Sequence, residues 1–159
     1  MDETFFLSNI APQVGEGFNR AYWARFEQFV RDLTRTYSDV YVYTGVLYLP
    51  HKEADGNYYV RYRVLGDPPN TAVPTHFYKV ILAENDGGRD RVIGAFLMKN
   101  DVIKDDVPLS SFMVPLEKVE RGAGFTFFPV VNRARAGGLC AASGCQLPPP
   151  FTQKPKRTA

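Results

Sequence analysis

The sequence predicts an α+β domain, an antiparallel sheet packed with helices, and three observations carry that prediction. Apolar residues recur at helical period between Asn19 and Arg35. They alternate at period two in stretches between Val40 and Met98. Turn formers, Asp55-Gly56 and Asn85-Asp86-Gly87-Gly88, separate those stretches closely enough for hairpins. A length of 159 residues fits one domain, or one domain with a tail. With 45% hydrophobic and 23% charged residues the composition is that of a globular protein, which excludes wholesale disorder, a coiled coil and a collagen-like chain.

Taken in order, Thr4-Phe5-Phe6-Leu7 reads as a strand ended by Ser8-Asn9, followed by a loop with Pro12, Gly15 and Gly17. Tyr22, Phe26, Phe29, Val30 and Leu33 then form one helical stripe, with Asn19 as cap or first-turn residue. Val40 to Leu49 reads as a buried or half-buried strand, and the Asp55-Gly56 turn joins it in a hairpin to Tyr58–Val64. His76–Leu82 and Arg91–Met98 complete the sheet around the Asn85–Gly88 turn. Pro108–Glu120 reads as a short helix capped by Ser110 or Ser111 and stopped by Gly122 and Gly124. Phe125–Val131 is an edge strand or extended segment, demoted by Pro129. From Gly137 the shift to Gly, Ala, Ser and Pro predicts a disordered tail over 137–159.

Charge and motifs remove most function classes. Nineteen Lys and Arg against seventeen Asp and Glu give a net charge of only +2, so any nucleic-acid contact must be local. No apolar run approaches the roughly eighteen residues of a membrane span, and no secretory signal opens the chain, so no membrane insertion is expected. Cys140 and Cys145 read as bland thiols or one small local disulfide, since no metal-ligand set surrounds them. His51 reads as a solvated loop residue and His76 as a strand residue. Walker, nucleophile-elbow and dinucleotide motifs are absent. The basic end, Lys154-Pro155-Lys156-Arg157, reads as a solvated terminus.

One constellation remains on the first helix. With Asn19 at zero, Arg20, Glu27 and Arg31 fall at about 100°, 80° and 120°, a polar flank beside the apolar stripe. The plain reading is a helix cap at Asn19 and an i,i+4 surface ion pair between Glu27 and Arg31. The chemical reading is an amide oxygen for a hard cation such as Mg²⁺, a carboxylate for one of its waters, and arginines for phosphate oxygens.

The order of residues narrows this further. Leu7-Ser8-Asn9-Ile10-Ala11-Pro12-Gln13 and then Phe18-Asn19-Arg20-Ala21-Tyr22-Trp23-Ala24-Arg25-Phe26-Glu27 resemble the second half of the metal finger of the DNA/RNA non-specific endonucleases. Within that family the likeness is greatest to the mitochondrial, endonuclease G branch. It continues through Val42-Tyr43-Thr44-Gly45, Glu53-Ala54-Asp55-Gly56, Val73-Pro74-Thr75-His76-Phe77, Val114-Pro115-Leu116-Glu117 and Glu120-Arg121. The resemblance covers roughly residues 1–136 and implies a ββα-metal (His-Me finger) fold. It implies Mg²⁺-dependent, with Mn²⁺ as a substitute, hydrolysis of DNA and RNA, a homodimer, and a mitochondrial location with nuclear or cytosolic alternatives. By matching motif, Asn19 would be the metal ligand, Glu27 would hold a metal-bound water, and Arg31 would support the phosphate or Glu27. Asn9, Gln13 and Arg20 would be substrate-binding.

There is one departure from the family pattern. The general-base His of the family belongs to an Asp-Arg-Gly-His motif that occurs nowhere in this sequence, and neither His51 nor His76 stands in its place. A positioned base contributes about 10²–10⁴-fold. The expectation is therefore an N-terminally truncated nuclease lacking its first strands, inactive or impaired as it stands. Its residues 1–136 would be the C-terminal part of the domain: half finger 4–35, sheet 40–98 and helix 108–121. The alternative is a non-catalytic nucleic-acid-binding or dimerising remnant.

Overall fold

The computed structural model describes residue 6 and residues 9–150. The strand expected at Thr4–Leu7 and the basic end lie outside these residues, apart from an exposed Phe6. Eight strands follow in chain order: β1 (Asp39–Leu47), β2 (His51–Lys52), β3 (Tyr58–Tyr59), β4 (Val64–Leu65), β5 (Thr71–Ala72), β6 (His76–Asn85), β7 (Arg89–Lys99) and β8 (Gly137–Gly138). The helices are α1 (Ala24–Leu33), α2 (Leu116–Ala123) and α3 (Leu139–Ser143).

The main sheet has the order β1-β6-β7-β8, antiparallel except for the short parallel β7–β8 contact. Strand β6 is central, and its apolar run is buried on both faces. Residues of alternate parity divide the packing between two layers. Phe77, Ile81, Ala83, Phe96 and Met98 meet Phe18, Tyr22, Trp23, Phe26 and Phe29 from α1 and the turn before it. Tyr78, Val80 and Ala95 meet Val119 of α2 and Phe127 on the other face. The α+β class, with an antiparallel sheet packed against helices, is as expected.

Several elements differ from the sequence reading, each for a physical reason. Strand β1 is an edge rather than a buried strand, so Tyr41, Val42 and Tyr43 are 47%, 40% and 45% exposed. The expected strand Tyr58–Val64 stays outside the main sheet; only its ends pair, in the small β2–β3 and β4–β5 ladders. The helix expected at 108–121 is two pieces, a 3₁₀ turn at Leu109–Phe112 and then α2. Pro115 separates them, because the residue before a proline is pushed out of the helical region. No serine side chain caps either piece, and α2 ends where Gly124 turns left-handed at φ 79°. Phe125–Val131 forms no strand; Phe127 is an anchor packed against Tyr43 and Tyr78.

The largest correction concerns the end of the chain. Residues 137–150 are ordered rather than a disordered tail: β8 joins the sheet, α3 buries Leu139, and Cys140 and Cys145 form a disulfide. Gly94 of β7 makes this approach possible, since a Cβ there would lie 2.9 Å from the Leu139 side chain. Arg25 then fastens the segment, donating from Nε to the Pro148 carbonyl at 2.7 Å and from Nη1 to Asp105 at 2.9 Å.

Candidate active site

The start of the first helix is set by Gly17. Helical turns run over Gly15–Trp23, with Glu16 and Gly17 themselves out of helical conformation, and continue directly into α1. Gly17 sits at φ 74°, and a Cβ there would lie 2.6 Å from Val102 Cγ1, so only glycine fits. Asn19 is in the first regular turn, its amide N–H donating to the Val14 carbonyl at 2.9 Å. The loop leading to it is clamped by Asn100, whose Nδ2 donates to the Pro12 and Pro74 carbonyls while its Oδ1 accepts from Val14 N–H.

Between that loop, α1 and β1 lies an open cleft of about 680 Å³. Asn9, Gln13, Asn19 and Glu27 line it together with Trp23, Thr44, Gly45, Phe77 and Lys79. Four of the six expected site residues thus share one cavity. Arg20 and Arg31 are exposed and do not line it. The expected Glu27–Arg31 ion pair does not form: Arg31 donates to Gln28 Oε1 at 3.1 and 3.2 Å. Glu27 Oε1 instead accepts from Trp23 Nε1 at 3.0 Å, one turn back on the same helix. Its other oxygen has no protein hydrogen-bond partner among the described residues.

Lys79 forms the floor. It is 5% exposed, donates from Nζ to Thr44 Oγ1 at 2.7 Å, and stands 4.7 Å from the Trp23 ring centroid and 5.6 Å from that of Phe26. Burial pulls its ammonium down to about 8; attraction from Glu27 opposes the shift and repulsion from Arg31 adds to it. The motif reading did not single out Lys79, Thr44 or Asn100. A lone lysine in the otherwise apolar run Phe77–Ala83 was the available signal for the first.

Neither histidine reaches the cleft. His51 pairs with Glu53 at 3.3 Å on the surface. His76 Nδ1 lies 2.9 Å from Thr75 Oγ1, and burial, with Lys99 and Lys118 nearby, lowers its pKa. No group of three or more His, Cys, Asp or Glu able to hold a metal occurs among the described residues. The cleft nonetheless suits Mg²⁺. Its donors are amide oxygens and one half-free carboxylate, all hard, and the open space accommodates the waters that Mg²⁺ usually keeps.

Comparison with known proteins identifies a family. Residues 1–134 match the family model described as DNA/RNA non-specific endonuclease. Nuclease C1 of Cunninghamella echinulata var. echinulata is 52% identical over 147 residues, covering 92% of this chain and 57% of the relative. The mitochondrial Nuclease 1 of Schizosaccharomyces pombe is 50% identical over 149 residues, covering 92% and 46%. Mitochondrial endonuclease G of Homo sapiens is 47% identical over 141 residues, covering 89% and 46%. A chain of the crystal structure of the EndoG/EndoGI complex superposes with a TM-score of 0.79 at 56% identity, over 85% of this chain and 54% of that one. The chain therefore spans about half the length of the relatives it matches.

Proposed function

Because this chain belongs to the DNA/RNA non-specific endonuclease family, we propose that it carries the cation-anchoring side of a Mg²⁺-dependent nuclease acting on DNA and RNA. The observation that carries the reading is the cleft that gathers Asn9, Gln13, Asn19 and Glu27 over a buried Lys79. Asn19 presents the amide oxygen that anchors the cation. Bound there, Mg²⁺ supplies Lewis-acid stabilisation of negative charge on the phosphate. Glu27 keeps one oxygen on the Trp23 indole and offers the other to a water. Asn9 and Gln13, on the loop before the helix, donate amide N–H groups to phosphate oxygens, while exposed Arg20 and Arg31 on the helical turns draw the polyanion in.

The proton acceptor is the part that this sequence does not supply. No Asp-Arg-Gly-His motif is present, and the two histidines lie away from the cleft. We expect the 159-residue chain by itself to cleave poorly or not at all. The mitochondrial names of several relatives support a mitochondrial setting. A second reading, a pairing or nucleic-acid-holding module, is favoured by one feature. Among the described residues the β1 edge is open, with exposed Tyr41, Val42 and Tyr43 and no charged residue from Val40 to Leu47, so it lacks the usual protection against strand addition. A homodimer belongs to the same proposal.

The test is plasmid nicking and RNA digestion with Mg²⁺ or EDTA. It compares the chain, a fusion carrying an added Asp-Arg-Gly-His segment of the family, and Asn19→Ala in each. The reading expects EDTA-sensitive cleavage from the fusion, lost in Asn19→Ala. Cleavage that survives Asn19→Ala overturns the cation assignment, and salt-sensitive binding without turnover in every form favours the second reading.

A further inference from the structure

We propose that Lys79 is a positioning residue of the cleft, holding the Trp23 indole from below so that Trp23 in turn fixes the Glu27 carboxylate. This rests on the reading of Glu27 given above. An ammonium buried with a single hydroxyl acceptor is expensive unless its remaining N–H groups meet electron-rich surfaces. At Lys79 those surfaces are the faces of Trp23 and Phe26, at 4.7 and 5.6 Å. An indole is the most favourable aromatic partner for a cation, and the attraction grows when the pair is desolvated. Thr44 Oγ1, 2.7 Å from Nζ, pins the lysine to β1.

The consequence is a chain of fixed orientations from sheet to helix. Thr44 on β1 orients Lys79 on β6, the Lys79 charge orients the Trp23 ring, and Trp23 Nε1 claims Glu27 Oε1 at 3.0 Å. Without that last bond a glutamate on a helix surface samples several rotamers. With it, one carboxylate oxygen is committed to the indole and the other is left without a protein partner among the described residues, the state needed to orient a water. Lys79 and Glu27 form no ion pair, so the link acts through the indole, with Coulomb attraction between the two charges as a supplement. Two other charged groups bear on Lys79: Glu27 favours its ammonium and Arg31 opposes it, both from α1.

Trp23 is the only tryptophan, so its indole N–H gives a single resonance in a ¹⁵N–¹H spectrum of the full chain. That resonance and its solvent exchange are compared in the parent, Lys79→Met, Lys79→Arg and Glu27→Gln. We expect Lys79→Met to displace the resonance and speed its exchange by about tenfold, in the same direction as Glu27→Gln. Lys79→Arg, which keeps a cation over the ring, should return exchange to within about twofold of the parent. An unchanged resonance and exchange rate in folded Lys79→Met overturns the proposal, as does failure of Lys79→Arg to rescue. If Lys79→Met does not fold, Thr44→Val serves instead, with a smaller displacement expected in the same direction and an unchanged resonance again overturning the idea. A Mg²⁺ titration followed by the same resonance separates the two readings. A response about fivefold weaker in Lys79→Met than in the parent supports the link to Glu27. A parent that does not respond to Mg²⁺ tells against the cation site, while the indole comparison still judges Lys79.

Discussion

Arg25 and Lys79 both bury a positive charge beside α1, yet one is matched group for group and the other is not. Arg25 meets the Asp105 carboxylate, the Asp105 carbonyl and the Pro148 carbonyl, and lies over the Tyr22 ring. Lys79 has one hydroxyl and two aromatic faces, and its environment opens into the cleft. The contrast separates architecture from site. The paired cation ties the C-terminal segment to the helix, while the under-paired one lines the cleft.

The comparison breaks hardest at Arg25. Arg25→Met leaves two carbonyls and a half-exposed carboxylate without their donor, and we expect a loss of about 3 kcal/mol in urea unfolding. Hydrogen exchange over residues 139–148 should rise with it, and unchanged protection there would show that Arg25 does not hold the segment.

Lys79 should respond with the opposite sign. Its folded pKa, about 8, lies below that of an ordinary lysine, so the unfolded chain binds the proton more tightly. Stability should therefore rise with pH from about 8 to 10, by about 2 kcal/mol, as the cost of the buried charge is relieved. Lys79→Met should flatten that rise and stabilise the protein at pH 7 by about 1 kcal/mol. Above pH 10 the trend reverses, because burial raises Tyr22 to about 12 and the folded state keeps a phenolic proton that the unfolded chain releases. Urea midpoints from pH 7 to 11 check both limbs.

A smaller effect sharpens the architectural side. Replacing Cys140 and Cys145 by serine opens a loop of only a few residues, and about 1–2 kcal/mol should be lost, mainly as faster exchange around α3. The smallest effect belongs to exposed Arg31. Arg31→Ala should change stability by less than about 0.5 kcal/mol, because its exposed side chain has described bonds only to half-buried Gln28. Since Arg31 repels the Lys79 ammonium, its removal should still move the stability rise to higher pH.

Much of this was legible in the chain. The stripe from Tyr22 to Leu33 could pack only along one face of a helix, and the Asn85–Gly88 turn between two apolar runs required the β6–β7 hairpin. The motif from Phe18 to Glu27 also placed Asn19 and Glu27 on one helix beside a loop carrying Asn9 and Gln13. What was misjudged shares a cause. Period two says that Val40–Leu47 is a strand but not that it is an edge, and Gly- and Ala-rich composition over 137–147 does not reveal a close approach to Gly94. Helical spacing likewise offered Arg31 as the partner of Glu27, whereas the Trp23 indole, equally one turn away, takes it.

Periodicity, turn chemistry and linear motif were enough for the first helix, the β6–β7 hairpin and the family. Three-dimensional packing was needed to place a lysine of β6 beneath Trp23 where the helical turns enter α1, to close Asn100 onto the loop beside the cleft, and to capture the chain at Pro148 with Arg25. Each of these joins residues more than fifty positions apart, and their energies come from burial and mutual orientation, which a linear pattern does not contain.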